Sequence, residues 1–238
     1  MKFAKYFTKT EIMLWSGSVF LIFLSFFLFD GKGMMTLFAS LIGATSLIFN
    51  ARGNPIGQIL TVLFSVLYGI ISYSCAYYGE MITYLGMTAP IALLSVISWL
   101  KNPYCGNRAE VAVNRLKKQE LWLLPPLTVL VTALFYFILK AFRTANLLPS
   151  TISVTTSFLA VYLTFRRSAW YALAYAANDI VLIVLWVLAA VTDVSYVSVI
   201  TCFVVFLAND IYGFINWSKM QKRQETNRTT PVDSHMEF

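Results

Sequence analysis

The chain has 238 residues, of which 58% are hydrophobic and only 12% are charged, and its mean hydropathy is +0.69. A soluble domain carries about 25% charged residues, so a water-soluble globule of this composition would lack the polar side chains to cover its surface. The formal net charge of +7 comes from 18 Lys and Arg against 11 Asp and Glu, and the basic residues lie at the ends of apolar segments. This composition excludes a large soluble catalytic domain, does not indicate a nucleic-acid partner, and is typical of a multi-pass protein in a lipid bilayer.

Eight apolar segments are long enough to cross a bilayer, and together they predict an all-α integral membrane protein. Lys2, Lys5 and Lys9 precede the first segment as they would in a signal peptide, but no small-residue cleavage site follows it. We therefore expect the first segment to be a membrane helix. The predicted spans are residues 14–29, 34–49, 59–78, 81–100, 121–139, 151–165, 169–191 and 196–217.

Basic residues are distributed unevenly over the loops between these spans. With a cytoplasmic N-terminus, 15 of the 18 Lys and Arg residues fall on the cytoplasmic side, and only Lys32, Lys140 and Arg143 fall outside. Because Lys and Arg near span ends are retained in the cytoplasm, the sequence predicts a plasma-membrane protein with both termini cytoplasmic. The charged loop 101–120 is expected to form a short surface helix, and the polar tail from Gln221 onward is expected to be disordered.

An internal repeat emerges when the chain is aligned with itself at an offset of 118 residues. This offset pairs Trp99 with Trp217 and Tyr78 with Tyr196, together with matching loops and basic flanks. Four spans separate the two copies, so both face the same way, which predicts parallel repeats around a pseudo-two-fold axis along the membrane normal. The expected fold is a 3+1+3 helix bundle plus an extra N-terminal span: N-terminus and additional span 1–33, first repeat 34–101, cytoplasmic linker and connecting span 102–150, second repeat 151–219, and cytoplasmic tail 220–238.

Metal and thiol chemistry has little support in the sequence. Cys75, Cys105 and Cys202 lie in different segments without metal-ligand spacing, and the single histidine, His235, lies in the polar tail. We therefore expect neither a bound metal nor a cofactor.

Polar side chains form stripes along the spans of the two repeats. In the third span, Gln58, Thr61 and Tyr68 recur at helical spacing on one face. Interhelical hydrogen bonding accounts for single Ser and Thr residues in such stripes, whereas the pairs Asn178-Asp179 and Asn209-Asp210 favour a hydrated interior. The stripes therefore predict a polar site between the repeats.

Asp179 lies midway along the seventh span, where an ionised carboxylate costs about 2.5–3.5 kcal/mol on insertion scales. Since no Lys or Arg lies at a comparable depth, Asp179 must be protonated, hydrogen-bonded, or exposed to a hydrated cavity. Trp186 and Tyr68 occupy equivalent repeat positions, which suits a paired stacking platform or gate as well as lipid packing. Trp170, beside two arginines, suits either an interfacial belt or a gate.

Three segments carry a resemblance to a known family. Residues 177–186 are ANDIVLIVLW, residues 206–217 are FLANDIYGFINW, and residues 54–70 are NPIGQILTVLFSVLYGI. Over about residues 34–219 the chain resembles the PnuC family of bacterial vitamin transporters. The resemblance implies a 3+1+3 fold and import of nicotinamide riboside by facilitated diffusion, with a cytoplasmic kinase trapping the product. It also implies that the substrate site is lined by Gln58, Trp170, Asn178, Trp186, Asn209 and Tyr212.

Several alternatives remain open at this point. Relatives in the family are assigned to thiamine, riboflavin or deoxynucleosides, and the two membrane acids Asp179 and Asp210 favour either sugar-hydroxyl contacts or a different, cationic substrate. The same acids allow proton-coupled transport. An intramembrane enzyme with a carboxylate pair is a third possibility, but no nucleophile, metal set or phosphate-binding motif supports it, so we predict a transporter and not an enzyme. The oligomeric state, including a homo-oligomer, is left open.

Overall fold

The computed structural model describes residues 6–229, with side chains described as far as residue 227. The predictions for Lys2, Lys5 and His235 lie outside these residues. Within them, eight helices are long and apolar enough to cross a membrane, which confirms the all-α membrane architecture. The helices are α1 (Lys9–Asp30), α2 (Met34–Ala51), α3 (Pro55–Ser74), α4 (Tyr78–Leu100), α5 (Lys118–Ala141), α6 (Leu147–Phe165), α7 (Tyr171–Ala190) and α8 (Val197–Thr229).

Local signals set where the helices begin and bend. α1 starts with a capping box, in which the Thr8 hydroxyl accepts from the Glu11 amide and the Glu11 carboxylate accepts from the Thr8 amide. Asn54 caps α3, whose first residue is Pro55. In α4, the turn Tyr84–Thr88 is a π-helix, which accommodates the missing amide and bulky ring of the proline that follows two residues later.

The core lies where α2, α3, α7 and α8 pack on one another, with α4 and α6 alongside. The added first helix packs against α2 and α8. α5 packs chiefly on α6, and only 6% of its most apolar stretch is buried inside the protein, so most of its surface is available to lipid. The helices of the two predicted repeats therefore surround a common centre.

The loops gather at two opposite faces of the bundle. One face, here called the hairpin face, contains the start of α1, loops 52–54 and 166–170, segment 101–117 and the end of α8, which hydrogen-bond to one another through Tyr6, Asn54, Asn114 and Gln224. The opposite face contains loops 31–33, 75–77, 142–146 and 191–196, where Asn146 donates to the Tyr77 hydroxyl.

Segment 101–117 corrects the expectation of a surface helix. It forms an antiparallel hairpin of β1 (Pro103–Tyr104) and β2 (Asn107–Val111). The two turn residues, Cys105 and Gly106, have φ of 47° and 76°, as a tight hairpin turn with two left-handed residues requires. Glycine at the second position adopts the left-handed conformation without steric cost. This turn preference favours a hairpin over the helix that the charged residues suggested.

The expectation of a disordered tail from Gln221 onward is also wrong as far as residue 229. α8 continues without a break beyond the membrane span and lies against the hairpin. The Gln224 side chain accepts from the Val113 amide at 2.8 Å and donates to the Val111 carbonyl at 3.1 Å. Arg223 pairs with Glu110, and Arg115 pairs with Glu225. The polar residues that suggested disorder therefore satisfy the backbone of the hairpin.

Residues 118 positions apart meet near the centre of the bundle. The indole of Trp186 donates to the Tyr68 hydroxyl at 2.7 Å, and the rings of Trp99 and Trp217 are 5.4 Å apart. The indoles of Trp99 and Trp217 donate to the carbonyls of Thr164 and Asn50, which lie 114 positions apart. The 118-residue offset therefore does not extend to α2 and α6, whose registers differ by about one helical turn.

Candidate functional site

A small polar cavity lies at the centre of the bundle, where α2, α3, α4, α7 and α8 meet. Its volume is about 40 Å³, enough for about one water molecule. A nucleoside-sized ligand needs a pocket of roughly 300 Å³ or more, so the structure shows the site closed. Its polar lining comes from all five helices: Ser46 and Asn50; Thr61 and Ser65; Tyr84 and Thr88; Tyr171, Tyr175 and Asp179; and Asp210.

Two carboxyl groups form part of the cavity wall. Asp179 of α7 and Asp210 of α8 are both buried, and their side chains lie within hydrogen-bonding reach of each other. One oxygen of Asp179, Oδ2, has no hydrogen-bond partner. The sequence predicted that Asp179 is protonated, hydrogen-bonded or exposed to a hydrated cavity. In the structure Asp179 has both a neighbouring acid within hydrogen-bonding reach and a polar cavity beside it.

Side-chain amides fix the wall formed by α2 and α3. The amide nitrogen of Asn50 donates to Thr61 Oγ1 at 3.1 Å, and Gln58 donates to Asn50 Oδ1 at 2.8 Å. Oε1 of Gln58 is buried without a partner. Asn50 therefore lines the cavity directly, and Gln58 supports it from behind.

Asn178 joins α7 to α6 and reaches toward the cavity. Its carbonyl oxygen accepts hydrogen bonds from Thr156 at 2.8 Å, Ser157 at 3.0 Å and Ser153 at 3.3 Å. Its side chain also lies near the Tyr84 hydroxyl, which is part of the cavity lining. Asn178 thus satisfies a polar cluster that would otherwise be buried unpaired, next to the cavity.

Aromatic side chains close the cavity on both sides. Toward the hairpin face, Trp217 packs edge-on to Tyr171 at 4.9 Å and against Trp99. We call these three residues the hairpin-side layer. Toward the other face, the far-side layer consists of Tyr68, Trp186, Tyr77, Phe64 and Phe206, whose rings contact one another at centroid distances of 5.2–6.2 Å.

A third buried acid lies beside the far-side layer. Glu80, in the first turn of α4, has no exposed surface, and neither of its carboxylate oxygens has a hydrogen-bond partner within ordinary distance limits. The Ser153 hydroxyl lies near the Glu80 carboxyl, and Glu80 also faces Tyr68 and Tyr84. Glu80 is therefore a polar group at the boundary between the cavity and the far side.

The predicted site residues fall into three groups. Thr61, Asp179 and Asp210 line the cavity. Gln58, Tyr68, Asn178 and Trp186 are buried directly around it. The other three lie elsewhere: Trp170, 57% exposed, packs on Phe214; Asn209 donates to Ser18 of α1; and Tyr212 donates to Glu11 of α1.

Sequence reasoning missed the contribution of α2 and the start of α4. Asn50 and Ser46 line the cavity, but the predicted second span ended at residue 49, which left Asn50 in a loop. Glu80 immediately precedes the predicted fourth span. Both helices extend two or three residues beyond the predicted spans. The signals that could have revealed this were a polar residue directly after one apolar run, Asn50, and an acid directly before another, Glu80.

A buried ion pair lies at the hairpin face. The buried Glu11 carboxylate accepts from Arg52 at 2.9 Å and from the Tyr212 hydroxyl at 3.1 Å. Burial lowers the pKa of Arg52, but Glu11 and Tyr6 together outweigh that effect and raise the pKa above its usual value. This ion pair ties α1 to α8 and to the α2–α3 loop. Within residues 6–229, no cluster of three or more His, Cys, Asp or Glu side chains is placed to hold a metal ion.

Comparisons with known proteins agree with this architecture. The sequence profile of a family described as "Nicotinamide mononucleotide transporter" matches residues 33–219. The chain is 26% identical to a protein named nicotinamide riboside transporter PnuC from Neisseria mucosa, over 83% of this chain and 76% of that protein. It is 22% identical to a protein of the same name from Haemophilus influenzae, over 79% of this chain and 81% of that one. A solved structure titled as the crystal structure of the vitamin B3 transporter PnuC matches the fold with a TM-score of 0.81 at 22% identity, covering 92% of this chain and 94% of that one.

Proposed function

Because this chain belongs to the nicotinamide mononucleotide transporter family, we propose that it carries nicotinamide riboside across the membrane through the central cavity. Two relatives bear the name nicotinamide riboside transporter. The observation that carries the proposal is the closed polar cavity, which lies among membrane helices with an aromatic layer on either side. A buried cavity between two such layers is what alternating access requires.

The lining of the cavity favours the riboside over its phosphorylated form. Asp179 and Asp210 present carboxyl groups, and no Lys or Arg belongs to the lining. A phosphate group would therefore lie beside two acidic groups and find no cation to bind it. Nicotinamide riboside instead has a positively charged pyridinium ring, ribose hydroxyls and a carboxamide, which suit carboxyl, hydroxyl and amide side chains together with tyrosine rings.

Transport is proposed to proceed by rocking of the two three-helix units, 34–101 and 151–219. The contacts between Tyr68 and Trp186 and between Trp99 and Trp217 support a two-fold relation between these units. Separation of the first pair opens the far side, and separation of the second pair opens the hairpin face. The helix α5, which packs chiefly on α6, links the two units without entering the cavity.

We also propose that the hairpin face is cytoplasmic. In the described part of the chain it holds Arg52, Lys101, Arg166 and Lys219 among many basic residues, whereas the opposite face holds Lys32, Lys140 and Arg143. This asymmetry agrees with retention of basic loops in the cytoplasm. A cytoplasmic kinase would then make uptake one-way, because a phosphorylated product is poorly suited to the acidic cavity.

The test is uptake of labelled compounds into liposomes that contain the purified protein. Nicotinamide riboside is expected to equilibrate without a proton or sodium gradient, and nicotinamide mononucleotide is expected to remain outside. Ser65→Leu fills the cavity and should abolish uptake, whereas Ser74→Leu, an exposed position on the same helix, should leave uptake unchanged. Uptake of the mononucleotide at the rate of the riboside would refute the assignment.

The same liposomes distinguish the other ligands of this fold. Unlabelled thiamine, riboflavin and deoxynucleosides are added in turn as competitors of nicotinamide riboside. Weak competition by all three is expected. Faster uptake of thiamine, which also carries a permanent positive charge, would keep the acidic cavity as the explanation and change the substrate.

A further inference from the structure

Two acidic side chains lie next to each other in the cavity wall. Asp179 and Asp210 are within hydrogen-bonding reach and are almost fully buried. Two neighbouring carboxylates that are buried from water do not both stay ionised, because like charges repel and neither is solvated. A hydrogen bond between them also requires a proton on one of the two groups.

The surroundings of the pair provide no compensating cation. The titratable groups that face it are the hydroxyls of Tyr171 and Tyr175 on α7 and of Tyr84 on α4, the thiol of Cys202 on α8, and, behind Tyr84, the carboxyl of Glu80. α2 and α3 contribute only uncharged side chains to the lining, of which the polar ones are Ser46, Asn50, Thr61 and Ser65. The ion pairs Arg52–Glu11, Arg115–Glu225, Arg166–Glu120 and Arg223–Glu110 lie at the hairpin face.

One carboxyl oxygen in this site lacks a partner. Oδ2 of Asp179 is buried, makes no hydrogen bond, and belongs to a side chain that lines the cavity. A buried acceptor of this kind is costly unless a ligand or a proton satisfies it. The cavity therefore contains an unsatisfied site for a positive group.

We propose that the Asp179–Asp210 pair is a proton-exchanging counter-ion, so that binding of a positively charged substrate ring releases one proton from the protein. The inference rests on the proposed function and adds that substrate binding depends on pH. In the empty, closed cavity the pair holds two protons and is neutral. When the pyridinium cation binds, one O–H bond dissociates and its proton leaves to water, while the second proton stays shared between the carboxyls. The remaining single negative charge balances the cation, and no electrons are transferred.

Proton release predicts how affinity depends on pH. Where the empty pair holds two protons, the affinity for the cation should increase about tenfold per pH unit, because each binding event releases one proton. A neutral ligand of the same shape releases none, so its affinity should not change with pH. The pair thereby distinguishes a charged ring from an uncharged one.

The experiment is isothermal titration calorimetry on the full-length protein in detergent, with two ligands. One is nicotinamide riboside, and the other is its reduced dihydro form, which keeps the ribose and the carboxamide, carries one additional hydrogen on the ring and has no positive charge. Titrations in buffers of different ionisation enthalpy give the number of protons released. About one proton per bound cation is expected, and none for the neutral ligand.

Two variants complete the test. Asp179→Asn combined with Asp210→Asn removes both acids and should abolish proton release and the pH dependence. Asp193→Asn changes an exposed acid in a loop at the opposite face and should release the same proton as the wild type. An unchanged proton count in the double variant would overturn the proposal and place the proton on another acid, with Glu80 the next to test.

The wild-type titrations alone keep the inference falsifiable when the double variant does not fold. Binding of both ligands without proton release overturns the counter-ion inference and leaves the proposed function in place. No binding of either ligand at any pH overturns the proposed function, and the inference with it.

Discussion

Two hydrogen bonds link the helices at the far-side layer: Tyr77 donates to the Leu185 carbonyl at 3.3 Å, and a shorter bond joins the side chains of Trp186 and Tyr68. The indole of Trp186 donates to the Tyr68 hydroxyl at 2.7 Å, and both side chains are buried. Neither group has access to water, so loss of one leaves the other with an unsatisfied polar atom. This pair is therefore a specific contact between α3 and α7, in addition to the apolar packing around it.

Tyr68→Phe is expected to lower the free energy of unfolding by about 1–3 kcal/mol, because it leaves the Trp186 N–H unpaired in the interior. Combining it with Trp186→Phe should cost less than the sum of the two single changes, with a coupling of about 0.5–3 kcal/mol. Denaturant or thermal unfolding in detergent measures both quantities. Tyr73→Phe, at an exposed tyrosine on the same helix, is the control and should have little effect. Strict additivity would show that the bond contributes nothing.

At the scale of helices, the close approach of α2 and α3 shapes the cavity wall. A Cβ atom at Gly57 would lie 2.2 Å from Oδ1 and 2.6 Å from the backbone nitrogen of Asn50. The second distance involves backbone and cannot be relieved by rotating a side chain. Gly57 therefore permits the helix contact that places Asn50 against Gln58 and Thr61.

Gly57→Ala should push α2 and α3 apart, break the Asn50 hydrogen bonds and destabilise the protein by about 1–3 kcal/mol. Scanning fluorimetry in detergent measures the change as a lower midpoint, and binding of nicotinamide riboside measured by calorimetry should weaken in parallel. Gly17→Ala on α1, where a Cβ meets nothing within 4 Å, should keep or slightly raise the midpoint. Equal midpoints for both variants would contradict the role of this helix contact.

The helices were predictable from the sequence because each apolar run is close to the length of a membrane span. The turns at their ends were not, because Asn50 in the last turn of α2 and Glu80 in the first turn of α4 are polar residues whose burial depends on other segments. The hairpin and the extension of α8 were missed for the same reason, since Gln224 and Val113 support each other across the chain. Asp179 and Asp210 were predicted because they are acidic residues within apolar spans. Trp170 was assigned to the site by resemblance, but it does not line the cavity.

At the scale of the whole molecule, the cavity is closed on both sides, so transport requires each aromatic layer to open in turn. The hairpin-side layer depends on Trp217 and the far-side layer depends on Tyr68. Opening both at once would create a continuous pore and abolish control of the substrate. The rocking movement therefore predicts that weakening one layer opens only the side on which that layer lies.

A single cysteine in the cavity tests this prediction. Cys75, Cys105 and Cys202 are first replaced by Ala, and Ser46→Cys then places a thiol in the lining. In vesicles of defined orientation, Trp217→Ala should speed labelling by a membrane-impermeant thiol reagent from the hairpin face, and Tyr68→Ala should speed it from the other face. Trp122→Ala, at a tryptophan 83% exposed on α5, should change neither rate. Equal acceleration from both faces in either variant would show that the layers do not act as separate gates, because a leak through the whole bundle gives that result.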